Sequence, residues 1–293
     1  MRAFASDSSE LKTMFARSVR PLTVALLTTA LGACASHRTY EDEITHSAEA
    51  VRDTLHGLAF TTDEPVELKT TGPLAVNVDN FAGDVEVRAN PKALVTTVEV
   101  RRVSSMGLGR MDEARAELVD VKWTATLEPR AGGGDTLQIR ANADNPEPHF
   151  FHADILVITP ALDSVSVRTM NGNVAVVANQ GPVDIETTRG DVRMLTPWPM
   201  TQAIRIITSE GSIDYRVRGE SKGAFDAQSH GGEVRQMCQY GQWLSLAPEN
   251  DQDRLIATLN GGTNPILLRT SDKNIRIAVV PDPTNVGREI VDP

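Results

Sequence analysis

The chain has 293 residues, with 29 Lys and Arg against 39 Asp and Glu, and a net charge of −10. Its length supports one large domain with its own core, and its acidic balance excludes the basic face that nucleic acid requires. The basic residues are scattered, with no cluster for anionic lipid headgroups.

At the N-terminus, Lys12, Arg17 and Arg20 form a positive segment, and Leu22 to Leu31 form an apolar run too short to cross a bilayer. Small residues then lead to Cys34. The stretch Leu31-Gly32-Ala33-Cys34 resembles the lipobox of bacterial lipoproteins, which implies a signal peptide with lipobox over residues 1–34, cleavage just before the cysteine, and lipidation of Cys34 as the new N-terminus. A buried N-terminal helix with a chance cysteine is the competing reading. Asp7 and Glu10 are unusual in a signal's basic segment, and a start at Met14 gives a more ordinary one. Ala35, rather than an aspartate, follows the cysteine, which implies sorting to the outer membrane of a two-membrane cell.

Cleavage takes away Arg2, Lys12, Arg17 and Arg20 with Asp7 and Glu10, leaving a chain of net charge −12. The membrane contact expected is therefore through the lipid alone. Cys34 and Cys238 are the only cysteines. Cys238 is thus unpaired, and a small buried apolar side chain is expected there rather than a nucleophile, which would need a histidine beside it. Residues 35–66 read as a polar, partly helical tether, and no second segment is apolar enough to span a membrane.

From residue 67 to 281 the alternation has period two, the mark of strands with one buried face. A unit recurs in which two apolar positions, a Ser, Thr or Asn, a turn glycine and two more apolar positions follow at fixed spacing. Its best copy is Val165-x-Val167-x-Thr169-x-x-Gly172-x-Val174-x-Val176, followed by copies centred on Thr187 and Gly190 and on Thr208 and Gly211. Weaker copies run through Ser229, Gly232 and Val234, through Ile256, Thr258 and Gly261, and through Ile266, Thr270 and Ile275. Val76, Asn80, Gly83 and Val85 form an upstream copy. The turn glycines suit a residue at positive φ, and their spacings of 18, 21 and 21 residues suit coils of two short strands.

The fold expected is all-β, a repetitive β-solenoid with some antiparallel strands near its N-terminal part. A β-sandwich is the alternative. In a solenoid, Thr169, Thr187, Thr208 and Ser229 should line one edge, with Val174, Val192, Ile213 and Val234 stacked inside. Outward, Ala175, Arg193, Asp214 and Arg235 should succeed one another on neighbouring coils, alternating in charge as an exposed and weakly stabilising ladder.

Between the first unit and the main array, Val95–Val103, Val121–Leu127, Thr136–Arg140 and Asp154–Thr159 read as strands, with Ala131 to Asp135 as a hairpin turn. Met111 to Asp120 read as a short helix. Residues 282–293 read as an irregular tail.

Thr187-Thr188-Arg189-Gly190-Asp191-Val192 and its sister motifs, after a lipoprotein-like signal, resemble the adhesin-like β-solenoid proteins of bacteria, a family of unknown function. The likeness covers roughly residues 70–280. It implies an envelope protein working by surface contact and supplies no catalytic residues.

The residues themselves offer little chemistry. Asp191 and Glu233 share a predicted stack, but Ser212 stands between them, which weakens a polysaccharide-cleaving reading. On a strand, His149 and His152 would point to opposite faces, too poor a pair for a metal. Gly132-Gly133-Gly134-Asp135 lacks the lysine and helix of a phosphate loop. Trp198, between Pro197 and Pro199, is the one tryptophan whose loop could present an open ring, although packing onto the solenoid edge is the more ordinary state of such a residue. No cofactor and no metal is expected. The partners expected are the membrane, through the lipid, and an envelope protein or glycan. The leading function is a non-enzymatic envelope scaffold for interaction or adhesion, and a polysaccharide-active β-helix enzyme is the alternative.

Overall fold

The structure, a computed structural model, describes residues 58–284 apart from 108, 145–147 and 245. Cys34 with its lipobox, the tether up to residue 57 and the tail beyond Thr284 lie outside the described residues. In chain order the first strands are β1 (Leu58–Thr62), β2 (Val66–Leu68), β3 (Leu74–Asn80), β4 (Val85–Ala89) and β5 (Thr96–Ser105). The helix α1 (Met111–Glu117) and a 3-10 turn (Leu118–Asp120) follow, where a short helix is expected. Next come β6 (Val121–Pro129), β7 (Asp135–Ala143), β8 (Phe151–Thr159), β9 (Leu162–Asn171), β10 (Val174–Val177), β11 (Val183–Arg189) and β12 (Val192–Leu195). The last are β13 (Ile204–Glu210), β14 (Ile213–Arg218), β15 (Gly223–Ser229), β16 (Val234–Cys238), β17 (Trp243–Leu244), β18 (Arg254–Leu259), β19 (Pro265–Thr270) and β20 (Ile275–Val280).

Each unit of the repeat is one coil, laying a strand in one sheet, turning, and laying the next strand in the other. The first sheet runs β1-β5-β8-β4-β10-β12-β14-β20-β16, with β2 also on β5; the second runs β17-β18-β15-β19-β13-β11-β9-β3-β7-β6. Within the array the pairing is parallel, Val174 beside Val192 and Val192 beside Ile213. The fold is therefore a β-solenoid, and the sandwich alternative falls because successive units are not antiparallel. Antiparallel strands close both ends: β5 on β8 and β6 on β7 at one, β18 on β15 at the other.

The inward row is apolar because every second residue of each strand faces the other sheet. Val167, Ile185, Ile206 and Leu268 are fully buried in one continuous core with Val176, Met194 and Ile277. Each such side chain contributes about 1.5–3 kcal/mol by leaving water. Val234 is only half-buried, since its coil is the last of the stack.

Four expectations need correction. Coils do not stack in sequence order, because β19–β20 enters between β13–β14 and β15–β16, so Arg276 rather than Arg235 lies beside Asp214. At the other end β3–β4 lies between β7–β8 and β9–β10. The segment around Ile256 and Thr258 is not a coil but the antiparallel strand β18, whose connection to β19 turns at Asn260 and Gly261. Residues 58–66 are not tether: they hold β1 and the start of β2, both paired with β5.

The fourth correction concerns the glycines. Gly190 is at φ 138°, as a turn residue should be, but Gly211 is not in the positive-φ region. What both share is close approach: a Cβ on Gly190 would lie 2.0 Å from the carbonyl oxygen of Gly172, and one on Gly211 would lie 1.9 Å from that of Gly190. The coils touch backbone to backbone at this corner, so a side chain has no room.

Candidate interaction surface

The corner beside these glycines carries two rows of polar side chains. Inside, Thr169, Thr187 and Thr208 stand side by side, as expected, but Thr270 then precedes Ser229. Hydroxyls of this row serve the turns directly, Thr208 Oγ1 donating to Gly190 O (3.0 Å) and Ser229 Oγ to Lys273 O (2.7 Å), whereas Thr169 Oγ1 is buried without a hydrogen-bond partner among the described residues. Outside, the residues that follow Gly83, Gly172 and Gly190 accept from a neighbouring coil's backbone. Asp84 Oδ1 accepts from Asn173 N (2.7 Å), Asn173 Oδ1 from Asp191 N (3.0 Å), and Asp191 Oδ1 from Ser212 N (2.8 Å). Asn274 does the same for Glu233 N at 2.9 Å. Asp191 and Glu233 are thus separated by both Ser212 and Asn274 and belong to a ladder that pins turn to turn. Sequence reading saw the hydroxyl row but missed this one, although its Asp, Asn and Ser at one offset from each glycine were the signal.

Other residues singled out in the sequence fall apart in space. His152 is on β8, with Nε2 3.9 Å from Asp154, and partial burial lowers its pKa; His149 sits in a 3-10 turn with its ring against Phe150. Among the described residues no group of three or more His, Cys, Asp and Glu side chains is arranged to hold a metal. Cys238 is a half-buried thiol on β16 whose pKa burial raises, and its Sγ faces Tyr240 O at 3.4 Å. Trp198 is 43% exposed, so its loop leaves the ring partly open. Trp123 is structural, because its indole N–H donates to Asp63, which also binds Arg102 at 2.6 Å and staples β1 to β5 and β6.

Four carboxylates, Asp84, Glu86, Glu99 and Asp154, line a shallow depression of about 300 Å³ on the first sheet. Asp84 and Asp154 hold backbone N–H groups there, and Glu86 lies 3.2 Å from Arg88. Three of the four carboxylates therefore have structural partners.

The expected charge ladder on the first sheet is also altered. Asp214 lies 3.7 Å from Arg193, but its main partner is Arg216 two residues on, with Nε–Oδ1 2.8 Å and Nη2–Oδ2 2.7 Å. The Arg216 side chain is 6% exposed and Asp214 13%, so this bidentate pair is buried and not a solvated surface contact.

The outer face of the second sheet is the broad open surface. Asn77, Ser166, Asp184, Arg205 and Leu267 follow one another across five neighbouring strands. They line a groove of about 480 Å³ whose other side is formed by Ser164, Pro182, Ala203 and Pro265, and a second depression of about 270 Å³ continues past Asn77 and Ser166 to Gln138 and Arg140. Arg205 bridges Asp184 (2.8 Å) and Glu186 (3.1 Å), and Arg168 reaches Asp184 at 3.3 Å. The hydrogen bond to Asp184 raises the Arg205 pKa. Charges on this face largely cancel in pairs, leaving amides, hydroxyls and small apolar side chains along the groove. Such a face can bind by shape and hydrogen bonding.

The family model of the Toastrack DUF4097 proteins matches residues 76–278, the whole coil array. The chain belongs to the Toastrack DUF4097 family. The function of this family is unknown. The Toastrack chain is similar to a candidate cell adhesion protein from Clostridium sporogenes, at 10% identity and TM-score 0.50, with 75% of this chain and 99% of that one covered. It is also similar to a candidate adhesin from Bacteroides fragilis, at 10% identity and TM-score 0.27 over 76% and 97% of the two chains. The first likeness agrees with the fold described. No curated protein matches the chain.

Proposed function

We propose that this Toastrack protein is a lipid-anchored envelope protein that acts by surface contact, with the outer face of its second sheet as the contact surface and an envelope protein or glycan as its partner. The observation carrying this reading is the groove across Asn77, Ser166, Asp184, Arg205 and Leu267, which is long, open and internally charge-balanced. The name of the Clostridium sporogenes relative, a candidate cell adhesion protein, supports the same class of role. The anchor rests on the lipobox-like run ending at Cys34, and Ala35 favours the outer membrane.

Three experiments test the reading. Cross-linking in intact cells followed by capture should recover a partner with the native chain and lose it with Ser166→Arg combined with Asn77→Arg, which fill the groove. Equal recovery with the filled groove would overturn this choice of surface. Cys34→Ala should abolish fatty-acid labelling and release the protein from membranes; unchanged labelling would overturn the anchor. Purified protein should release no fragments from polysaccharides with or without calcium, and release abolished by Asp191→Ala would instead support the enzyme reading.

A further inference from the structure

The position of β19–β20 points to a movable end. The chain leaves β14 at Arg218 and starts β15 at Gly223, yet these successive coils are not neighbours. The later β19–β20 separates them. All three coils nevertheless share one register: Ile207 is level with Arg269 and Arg269 with Gln228 in the second sheet, and Ile213 is level with Ile275 and Ile275 with Val234 in the first. Removing the middle coil would leave the outer two in matching register, one strand spacing of about 4.8 Å apart from contact.

Two features are better matched across that closed gap than across the filled one. Arg235 now has Arg276 as its cross-strand neighbour, whereas closure would set it beside Asp214. The hydroxyl of Tyr215 is buried without a hydrogen-bond partner among the described residues, and closure would bring Gln236, now exposed, level with it. The ordinary stacking written into Ser229, Gly232 and Val234 is the same closed arrangement.

We propose that the slot between β13–β14 and β15–β16 is a strand-insertion site with two states. Before β19–β20 is in place, β15–β16 docks directly on β13–β14, and β18 travels with it through its pairing to β15. Insertion of β19–β20 then displaces this end unit by one strand spacing. The inserted state prevails in the complete chain because Ile266, Leu268, Ile275, Ile277 and Val279 become buried. The closed state belongs to a chain that reaches residue 259 before residue 265, as any chain emerging N-terminus first does.

Disulfide trapping reads the two states directly, in chains carrying Cys34→Ser and Cys238→Ser. Strands two positions apart are too distant for a disulfide and adjacent ones are not. In the full chain, Ile207→Cys with Arg269→Cys should cross-link and Ile207→Cys with Gln228→Cys should not. In a chain ending at residue 262 the second pair should cross-link, and a synthetic peptide of residues 263–284 should slow that reaction at least tenfold. A folded short chain that fails to cross-link at 207 and 228 would overturn the proposal. Should the short chain not fold, oxidant pulses during refolding of the full chain decide the matter: the 207–228 disulfide should be trapped early and vanish later, and its absence at every time would overturn the two-state slot.

Discussion

The hydroxyl of Thr270 donates to the carbonyl oxygen of Gly211 over 2.6 Å, tying the turn of β13–β14 to a strand that the chain reaches only after completing β15 to β18. The bond is buried, so its loss leaves an acceptor without water. Thr270→Val should therefore lower the unfolding free energy by about 1 kcal/mol, read by urea denaturation. No change in the midpoint would remove the hydroxyl row from the forces that fix coil order.

Close backbone approach at the turns predicts a sharp contrast between glycines. Gly211→Ala sets a methyl 1.9 Å from a carbonyl oxygen, whereas Gly132→Ala meets nothing within 4 Å and has only its φ of 108° to oppose it. The first should cost about 3 kcal/mol or more and the second about 1 kcal/mol. Thermal unfolding of both variants checks the order, and equal shifts would contradict it.

Asp214 should matter more than an exposed pair. Asp214→Ala removes two hydrogen bonds from the buried guanidinium of Arg216 and should cost about 2 kcal/mol. Arg168→Ala, on an open face, should cost well under about 1 kcal/mol. Chemical denaturation of the two variants side by side separates buried from solvated pairing.

His152 gives the fold a pH dependence of definite sign. Burial lowers its pKa against the opposing pull of Asp154 and Asp84, with Arg101 adding to the lowering. The unfolded chain then binds the proton more readily, so stability is complete above the ordinary histidine pKa of about 6.5 and declines as pH falls below it. His152→Gln should flatten that decline, measured as the urea midpoint between pH 7 and pH 5.

Much of the fold was legible because a solenoid repeats its instructions. Val174, Val192 and Ile213 mark one buried column, and Thr169, Thr187 and Thr208 one hydroxyl column, so period and register follow from spacing alone. Coil order was not legible, since Ser229 and Thr270 carry the same local signal and the choice between them depends on which coil buries more apolar surface. Asp214 misled for a related reason: alternation assigns it outward, but outward is not exposed when Arg216 lies over it on the same face. The candidate surface was hidden most of all, because Asn77 and Arg205 lie far apart in sequence and come to line one groove only through the stacking.

The placing of the two terminal coils gives the molecule a mechanical character. A pull on the chain at residue 69 or residue 284 reaches β3–β4 or β19–β20, and each of these is gripped by parallel strands on both flanks. Neither can be peeled away like the last turn of a spring; two ladders of bonds must give at once. Stretched between those residues, a single molecule should resist and then rupture abruptly, and a gradual, coil-by-coil lengthening would contradict this. A protein tethered at one end and gripped on its face would gain from such resistance to tension.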